Sequence, residues 1–202
     1  MSKGRLEAFS DGVLAVAITL LVLDLHVPDP GSGKLGHQLA HMWPSYTAYA
    51  ISFLTIGIIW INHHATIARL REVDHAILVL NLLLLMSICV LPFATSLFAT
   101  YLREAHGQHL AAAVYGGALL VMGVVFVVLN RHILIAKSHL LQPELSEERR
   151  RELLMRNIGG ILPYVLATAF AFVSPYLTLG ITAAVAVFYA LPATTGFDRQ
   201  PG

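Results

Sequence analysis

The sequence is 202 residues long, 56% hydrophobic and only 12% charged, with a formal net charge of +1. An ordinary soluble domain has about a quarter of its residues charged, so the composition excludes that class, and the small net charge gives no indication of a nucleic-acid partner. The apolar residues occur in runs of about 20, the length that crosses a bilayer as a helix. We therefore predict an all-α integral membrane protein.

Six apolar segments are predicted along a single transmembrane domain that covers residues 1–202. They span residues 6–25, 44–67, 76–101, 110–130, 157–173 and 177–191. Pro92 falls inside the third segment and is expected to kink it, because proline removes a helical hydrogen bond. Ser146, followed by acidic and then basic residues, indicates the start of a polar helix that leads into the fifth segment.

The distribution of basic residues predicts the orientation. An even number of spans places both termini on one side, and membrane proteins concentrate Lys and Arg in their cytoplasmic loops. With the termini inside, eleven Lys and Arg residues, Arg199 among them, fall on the inner side, and only Lys34 and Arg103 fall on the outer side. We therefore predict a multi-pass protein of the cell membrane with both termini in the cytoplasm.

The first segment, RLEAFSDGVLAVAITLLVLDL, combines an apolar stripe with a polar beginning. On a helical wheel Val16, Leu20 and Leu23 lie within about 60° of one another, whereas Asp11 lies about 140° away from Val16. Lipid and a hydrophobic pore constriction both accept Leu and Val, so periodicity leaves two interpretations of the stripe open. On pattern alone, the stripe is better explained as facing lipid.

Asp11 requires a partner, because an ionised carboxylate at membrane depth is costly unless it is paired. The sequence WINHH (60–64) lies near the inner end of the second segment, at the depth of Asp11. We therefore predict a polar cluster between the first and second segments. Its members are Arg5, Ser10 and Asp11 on the first segment, and Trp60, Asn62 and His63 on the second.

No catalytic or cofactor motif is recognisable. The sequence has no GxGxxG, no HExxH and no cysteine pair, since Cys89 is the only cysteine. His63 and His64 are adjacent and point about 100° apart on a helix, so we predict no metal site, no cofactor and no enzymatic activity. Asp24, at the outer end of the first segment, would contribute to a ring of negative charge if several copies surrounded an axis.

The stretch Arg5-x-x-x-Phe9-Ser10-Asp11-Gly12, at the start of a first membrane helix, resembles the signature of the transmembrane protein 175 family, the endosomal/lysosomal potassium channel. AFSDGVLAVAITLLVLDL resembles the whole first helix of the bacterial members, and WINHH resembles part of their second helix. The resemblance extends over essentially the full chain. Six spans with both termini inside also agree with it.

The resemblance implies a homotetrameric potassium channel whose central pore is lined by the first helix of each subunit. A hydrophobic constriction replaces the TVGYG filter of ordinary potassium channels, and this sequence lacks that filter. The constriction positions carried over are Val16, Leu20 and Leu23, with Thr19 as a polar contributor. The family pattern has isoleucine where Val16 stands, so a slightly wider or less selective pore is conceivable.

The resemblance therefore reverses the interpretation of the apolar stripe, from facing lipid to facing the pore. It also implies that Phe9 packs, with its charged and polar neighbours, against the second helix rather than lining the pore. The permeant potassium ion would be the ligand, and membrane lipid and other copies of the chain would be the partners.

Two other functions remain open. A proton-coupled or cation-coupled transporter could use Asp11 and His63 as a proton relay. The other segments lack charged residues at mid-membrane depth and show no broken helices in repeated halves, which argues against it. A membrane enzyme built on His63, His64 and Asp11 is weaker still, because no nucleophile or metal set accompanies them.

Overall fold

A computed structural model describes residues 2–28, 33–141 and 145–191 of the chain, and most of these residues are helical. Residue 1 and residues 29–32, 142–144 and 192–202, with the predicted inner charge of Arg199, lie outside that description. The helices are α1 (Lys3–Leu20), α2 (Leu35–His41), α3 (Trp43–Ala68), α4 (His75–Cys89), α5 (Leu91–Tyr101), α6 (Gln108–Arg131), α7 (Glu147–Gly159), α8 (Leu162–Phe170) and α9 (Pro175–Ala190). The all-α prediction is therefore confirmed.

Several of these helices are long and apolar enough to cross a bilayer. Within the described ranges there are five such stretches: Lys3–Asp24, Trp43–Ala68, His75–Tyr101, Gln108–Ala136 and Glu147–Phe170. The sixth predicted segment corresponds to α9, an apolar helix of 16 residues. It is shorter than the roughly 20 residues that an upright span requires. Six membrane crossings thus stay a prediction.

Helix breaks occur where proline begins a new helix. α4 ends at Cys89 and α5 starts at Leu91, with Pro92 in its first turn, so the expected interruption of the third segment is present. Proline is tolerated there because the first N–H groups of a helix have no partner within it. α8 starts in the same way, with Pro163 in its first turn.

The polar helix that was predicted to lead into the fifth segment is present as α7. It starts at Glu147, and the hydroxyl of Ser146 accepts the N–H of Arg149, as expected for a helix cap. The charged α7 and the apolar α8 follow each other with only two residues between them.

α6 lies at the centre of the packing and contacts α4, α5, α8 and α9. A Cβ added at Gly116 would lie 3.0 Å from Oγ1 and 3.1 Å from Cα of Thr168, so the backbones of α6 and α8 approach closely at this point. Small residues permit such approaches between membrane helices. α1 packs on the other side of the bundle, mainly against α3 and α4.

Candidate functional site

α1 has one face packed against the bundle and one face free. Leu6, Ser10, Leu14 and Ala17 are buried at helical spacing. On the other face Val16 is 57% exposed, Leu20 43% and Leu23 70%. The stripe identified on the helical wheel is therefore the surface that one chain presents outward, and either lipid or another copy must cover it.

The end of this helix tightens in a way that aligns the stripe. Residues Leu21–Asp24 form a turn of 3₁₀ helix after α1. Side chains three residues apart eclipse each other in a 3₁₀ helix, so Leu23 lies nearly above Leu20. Thr19 is exposed beside them, and its hydroxyl donates to the carbonyl of Val16 at 2.9 Å. The only polar group among the four positions is thus already bonded to its own helix.

A chain of hydrogen bonds holds the buried face of α1. His63 Nε2 on α3 lies 2.7 Å from Asn81 Oδ1 on α4, and Asn81 Nδ2 donates to Ser10 Oγ at 3.0 Å. Ser10 in turn donates to the carbonyl of Leu6 at 2.9 Å. Since Asn81 Oδ1 can only accept, His63 carries its proton on Nε2. All three side chains, Ser10, His63 and Asn81, are buried, so each relies on the others for hydrogen-bond partners.

Asp11 is held by a second bond to α3. Its Oδ1 accepts the indole N–H of Trp60 at 2.9 Å. Asp11 is only half-buried. Together with the buried chain, this bond ties the first turns of α1 to both neighbouring helices.

The other predicted cluster residues are not in this network. The side chain of Asn62 donates to the carbonyl of Ile58, one turn earlier on its own helix, at 2.8 Å. Phe9 is 49% exposed, and Arg5 is exposed as well. The structure thus joins Ser10 to His63 and Asp11 to Trp60, and leaves Arg5, Phe9 and Asn62 apart from both pairs in a single chain.

Asn81 links Ser10 to His63, a role that the sequence analysis did not assign to it. The signal was present, because Asn81 is the only amide in the apolar run of α4. A similar pair joins α3 to α6, where Thr66 donates to Asn130 Oδ1 at 2.9 Å. A lone polar residue in an apolar run indicates an interhelical bond, but it does not identify the partner.

Asp24 lies at the end of the 3₁₀ turn, next to Leu23. Its carboxylate is half-buried beside a small cavity. The polar residues that line this cavity with Asp24 are His26, Ser45, Tyr49, Thr95, Ser96 and Thr100. A negative charge therefore stands beside the outermost member of the apolar stripe.

Comparison with known proteins gives consistent matches. A family model described as the endosomal/lysosomal potassium channel TMEM175 matches residues 5–92. A potassium channel of Streptomyces collinus is 44% identical over 200 residues, which cover 98% of this chain and 94% of that one. The human endosomal/lysosomal proton channel TMEM175 is 31% identical over 180 residues, which cover 85% of this chain and 36% of that one.

A solved structure matches as well. The crystal structure of a lysosomal potassium-selective channel TMEM175 homolog from Chamaesiphon minutus superposes with a TM-score of 0.84 at 35% identity, covering 95% of this chain and 98% of that one. Identity and coverage of this size extend to the whole fold and not to one motif. The chain belongs to the TMEM175 family, a family of potassium channels and not of enzymes.

Proposed function

We propose that the chain forms a potassium-permeable channel in the cell membrane, with α1 of four copies surrounding a central pore. The observation that carries the proposal is the division of α1 into two faces. One face is fixed to α3 and α4 by hydrogen bonds, and the other presents Val16, Leu20 and Leu23 outward. Relatives named as potassium channels support the choice of ion.

The same arrangement supports a hydrophobic gate. Rings of Leu and Val from four helices would form a narrow apolar neck, which empties of water and blocks ions unless it widens. Leu20 and Leu23, one above the other, would make it two side chains deep, and Val16 would continue it inward. Asp24 would add a ring of negative charge at the outer mouth, where it raises the local concentration of cations.

A proton-coupled transporter is the second candidate, and the contacts of Asp11 and His63 argue against it. Among the described residues no hydrogen bond joins these two side chains: Asp11 accepts from Trp60, and His63 is bonded to Asn81. Asn81 donates to Ser10, and Ser10 donates to the backbone carbonyl of Leu6, where the series of hydrogen bonds ends. A structural anchor explains these contacts better than a proton path.

Ion flux into liposomes tests the channel. We expect passive potassium flux larger than sodium flux, with no requirement for a proton gradient. Leu20→Ala should increase the flux or reduce the preference for potassium, because it shortens a side chain of the neck. Leu166→Ala on α8 is the matched control, since Leu166 is 41% exposed against 43% for Leu20. Equal behaviour of both variants would show that the stripe of α1 faces lipid.

Asp11→Asn separates the anchor from the relay. Asparagine keeps an oxygen that accepts the Trp60 N–H but cannot carry a proton through its side chain. We therefore expect Asp11→Asn to keep passive potassium flux and to elute like the parent on size exclusion. Loss of flux in a correctly assembled protein, together with flux in the parent that requires a proton gradient, would support the transporter.

A further inference from the structure

A cavity lies between α3, α6, α8 and α9, on the side of α3 away from α1. It has a volume of about 70 Å³ and is open to the surroundings over part of its surface, so a molecule bound there would extend out of it. It is near the end of the bundle at which α3 ends and α7 leads into α8. The hydrogen-bonded residues that hold α1, which we call the α1 anchor (Ser10, Asp11, Trp60, His63 and Asn81), do not line this cavity.

The lining of this cavity contains both apolar and polar side chains. Ile58, Ile59, Phe126 and Ile161 are the large aliphatic and phenyl side chains, and the uncharged polar ones include Thr55, Asn62, Tyr164 and Tyr189. Arg156 and Asn157, near the end of α7, add a guanidinium and an amide. Apolar side chains beside one cation fit a molecule that has an anionic head and an apolar tail.

Exposed apolar side chains lie close to Arg156 along the chain. Its neighbours Met155 and Ile158 are 65% and 42% exposed, and Leu162 on α8 is 61% exposed. Exposed apolar side chains near an arginine are typical of a helix entering lipid, where arginine keeps its head group at the interface. An arginine at that depth meets the phosphate groups of phospholipids.

Arg69 lies close enough to Arg156 for their charges to interact. The pKa of Arg69, at the end of α3, is lowered by burial and by the charges of Arg149 and Arg156. Arg149 has Glu152 as an ion-pair partner at 2.6 Å. In the described part of the chain, no carboxylate forms an ion pair with Arg69 or Arg156.

We propose that an anionic phospholipid binds at the opening of this cavity, with the phosphate at Arg156 and the first part of one acyl chain against Ile58, Ile59, Phe126 and Ile161. Arginine pairs with phosphate through two parallel N–H groups. Basic pockets between membrane helices are known to hold anionic head groups in this way. The site is separate from the apolar stripe of α1, and its test measures binding and not ion flux.

Thermal unfolding of the purified protein in detergent tests the proposal, with phosphatidylglycerol, phosphatidylcholine or inorganic phosphate added separately. We expect phosphatidylglycerol to raise the unfolding temperature of the parent, and the other two to have little effect. Arg156→Gln should lose most of that increase. Arg151→Gln is the matched control, because Arg151 is exposed on the same helix and pairs with Glu147. It should keep the increase.

A second variant tests the apolar part of the cavity. Ile161→Trp fills the space beside Phe126 without changing the charge, and it should also reduce the effect of phosphatidylglycerol. Native mass spectrometry should show phosphatidylglycerol retained on the parent and lost from both variants. An unchanged effect in Arg156→Gln, an equal effect of phosphatidylcholine, or an equal effect of inorganic phosphate would each overturn the proposal. An equal effect of inorganic phosphate would indicate a site for a soluble anion. If none of the three additions changed the unfolding temperature, the proposal would also be wrong, and the apolar face could instead be covered by a second copy of the chain.

Discussion

Ser10 shows how much of the anchor depends on one small hydroxyl. It donates to Leu6 on its own helix and accepts from Asn81 on α4, so one side chain satisfies both the local and the interhelical requirement. Its position in the Phe-Ser-Asp stretch indicated a polar contact. The similar membrane depth of the WINHH stretch predicted that His63 would be in the same cluster. Asn81 between them could not be predicted, because sequence separation gives no information on which helices are neighbours.

We expect Ser10→Ala to destabilise the protein by about 1–3 kcal/mol, because it leaves the buried amide of Asn81 without an acceptor. Ser87→Ala is the matched control. Ser87 is also buried and also donates to a carbonyl of its own helix, that of Leu84 at 2.7 Å. Thermal unfolding in detergent compares the two, and similar losses would contradict the role of the interhelical bond.

At the level of helices, apolar length predicts where the long elements are, and caps and prolines predict some of their ends. Ser146 and Pro92 both act as the sequence indicates. The tightening of the chain after Leu20 could not be predicted, since the sequence LVLD has no signal that separates a 3₁₀ turn from an α-helical one. Leu21 at its start is buried in the bundle, and such tertiary contacts are not visible in a local sequence.

Asp74 caps the N-terminus of α4. Asp74 accepts the N–H of Ile77 at 2.8 Å and lies 3.6 Å from His132 and 3.5 Å from Lys137. The backbone hydrogen bond, followed by the nearby His132 and Lys137, lowers the pKa of Asp74 below its ordinary value. The charged cap therefore stabilises the fold above the ordinary pKa of aspartate and is lost as pH falls through the lowered value.

We expect Asp74→Ala to destabilise the protein by about 1 kcal/mol at neutral pH, because alanine cannot cap the helix. Asp74→Asn should cost less, since asparagine is also a good cap. Thermal unfolding between acidic and neutral pH measures both. The difference between the parent and Asp74→Asn should shrink as the pH falls, and a difference that stays constant would exclude the contribution of the charge.

At the scale of the whole molecule, no sequence pattern decides whether an exposed apolar face contacts lipid or a neighbouring copy of the chain. Both environments are apolar, so Val16 on α1 and Val121 on α6 have the same chemistry and nearly the same exposure, 57% and 55%. Hydrophobicity provides no driving force that distinguishes them inside a bilayer. Only the family resemblance assigned a direction to α1.

Thiol cross-linking distinguishes these two positions. In a background with Cys89→Ser, we expect a short bismaleimide to link copies that carry Val16→Cys, because the proposed ring brings four such residues around one axis. Copies that carry Val121→Cys should be modified by the reagent but should not be linked to one another. The uncross-linked protein should have four times the mass of the chain by light scattering. Linking at position 121 and not at 16 would place another helix at the centre.

The anchor of α1 is at one end of the helix, and the stripe is at the other. Ten residues separate Ser10 from Leu20, which corresponds to about 15 Å along the axis. Hydrogen bonds at Ser10 and Asp11 resist sliding, whereas the apolar contacts further along are non-directional and tolerate it. In the proposed pore, a tilt of α1 by about 10° about its Ser10 end would therefore move Leu20 sideways by roughly 2–3 Å.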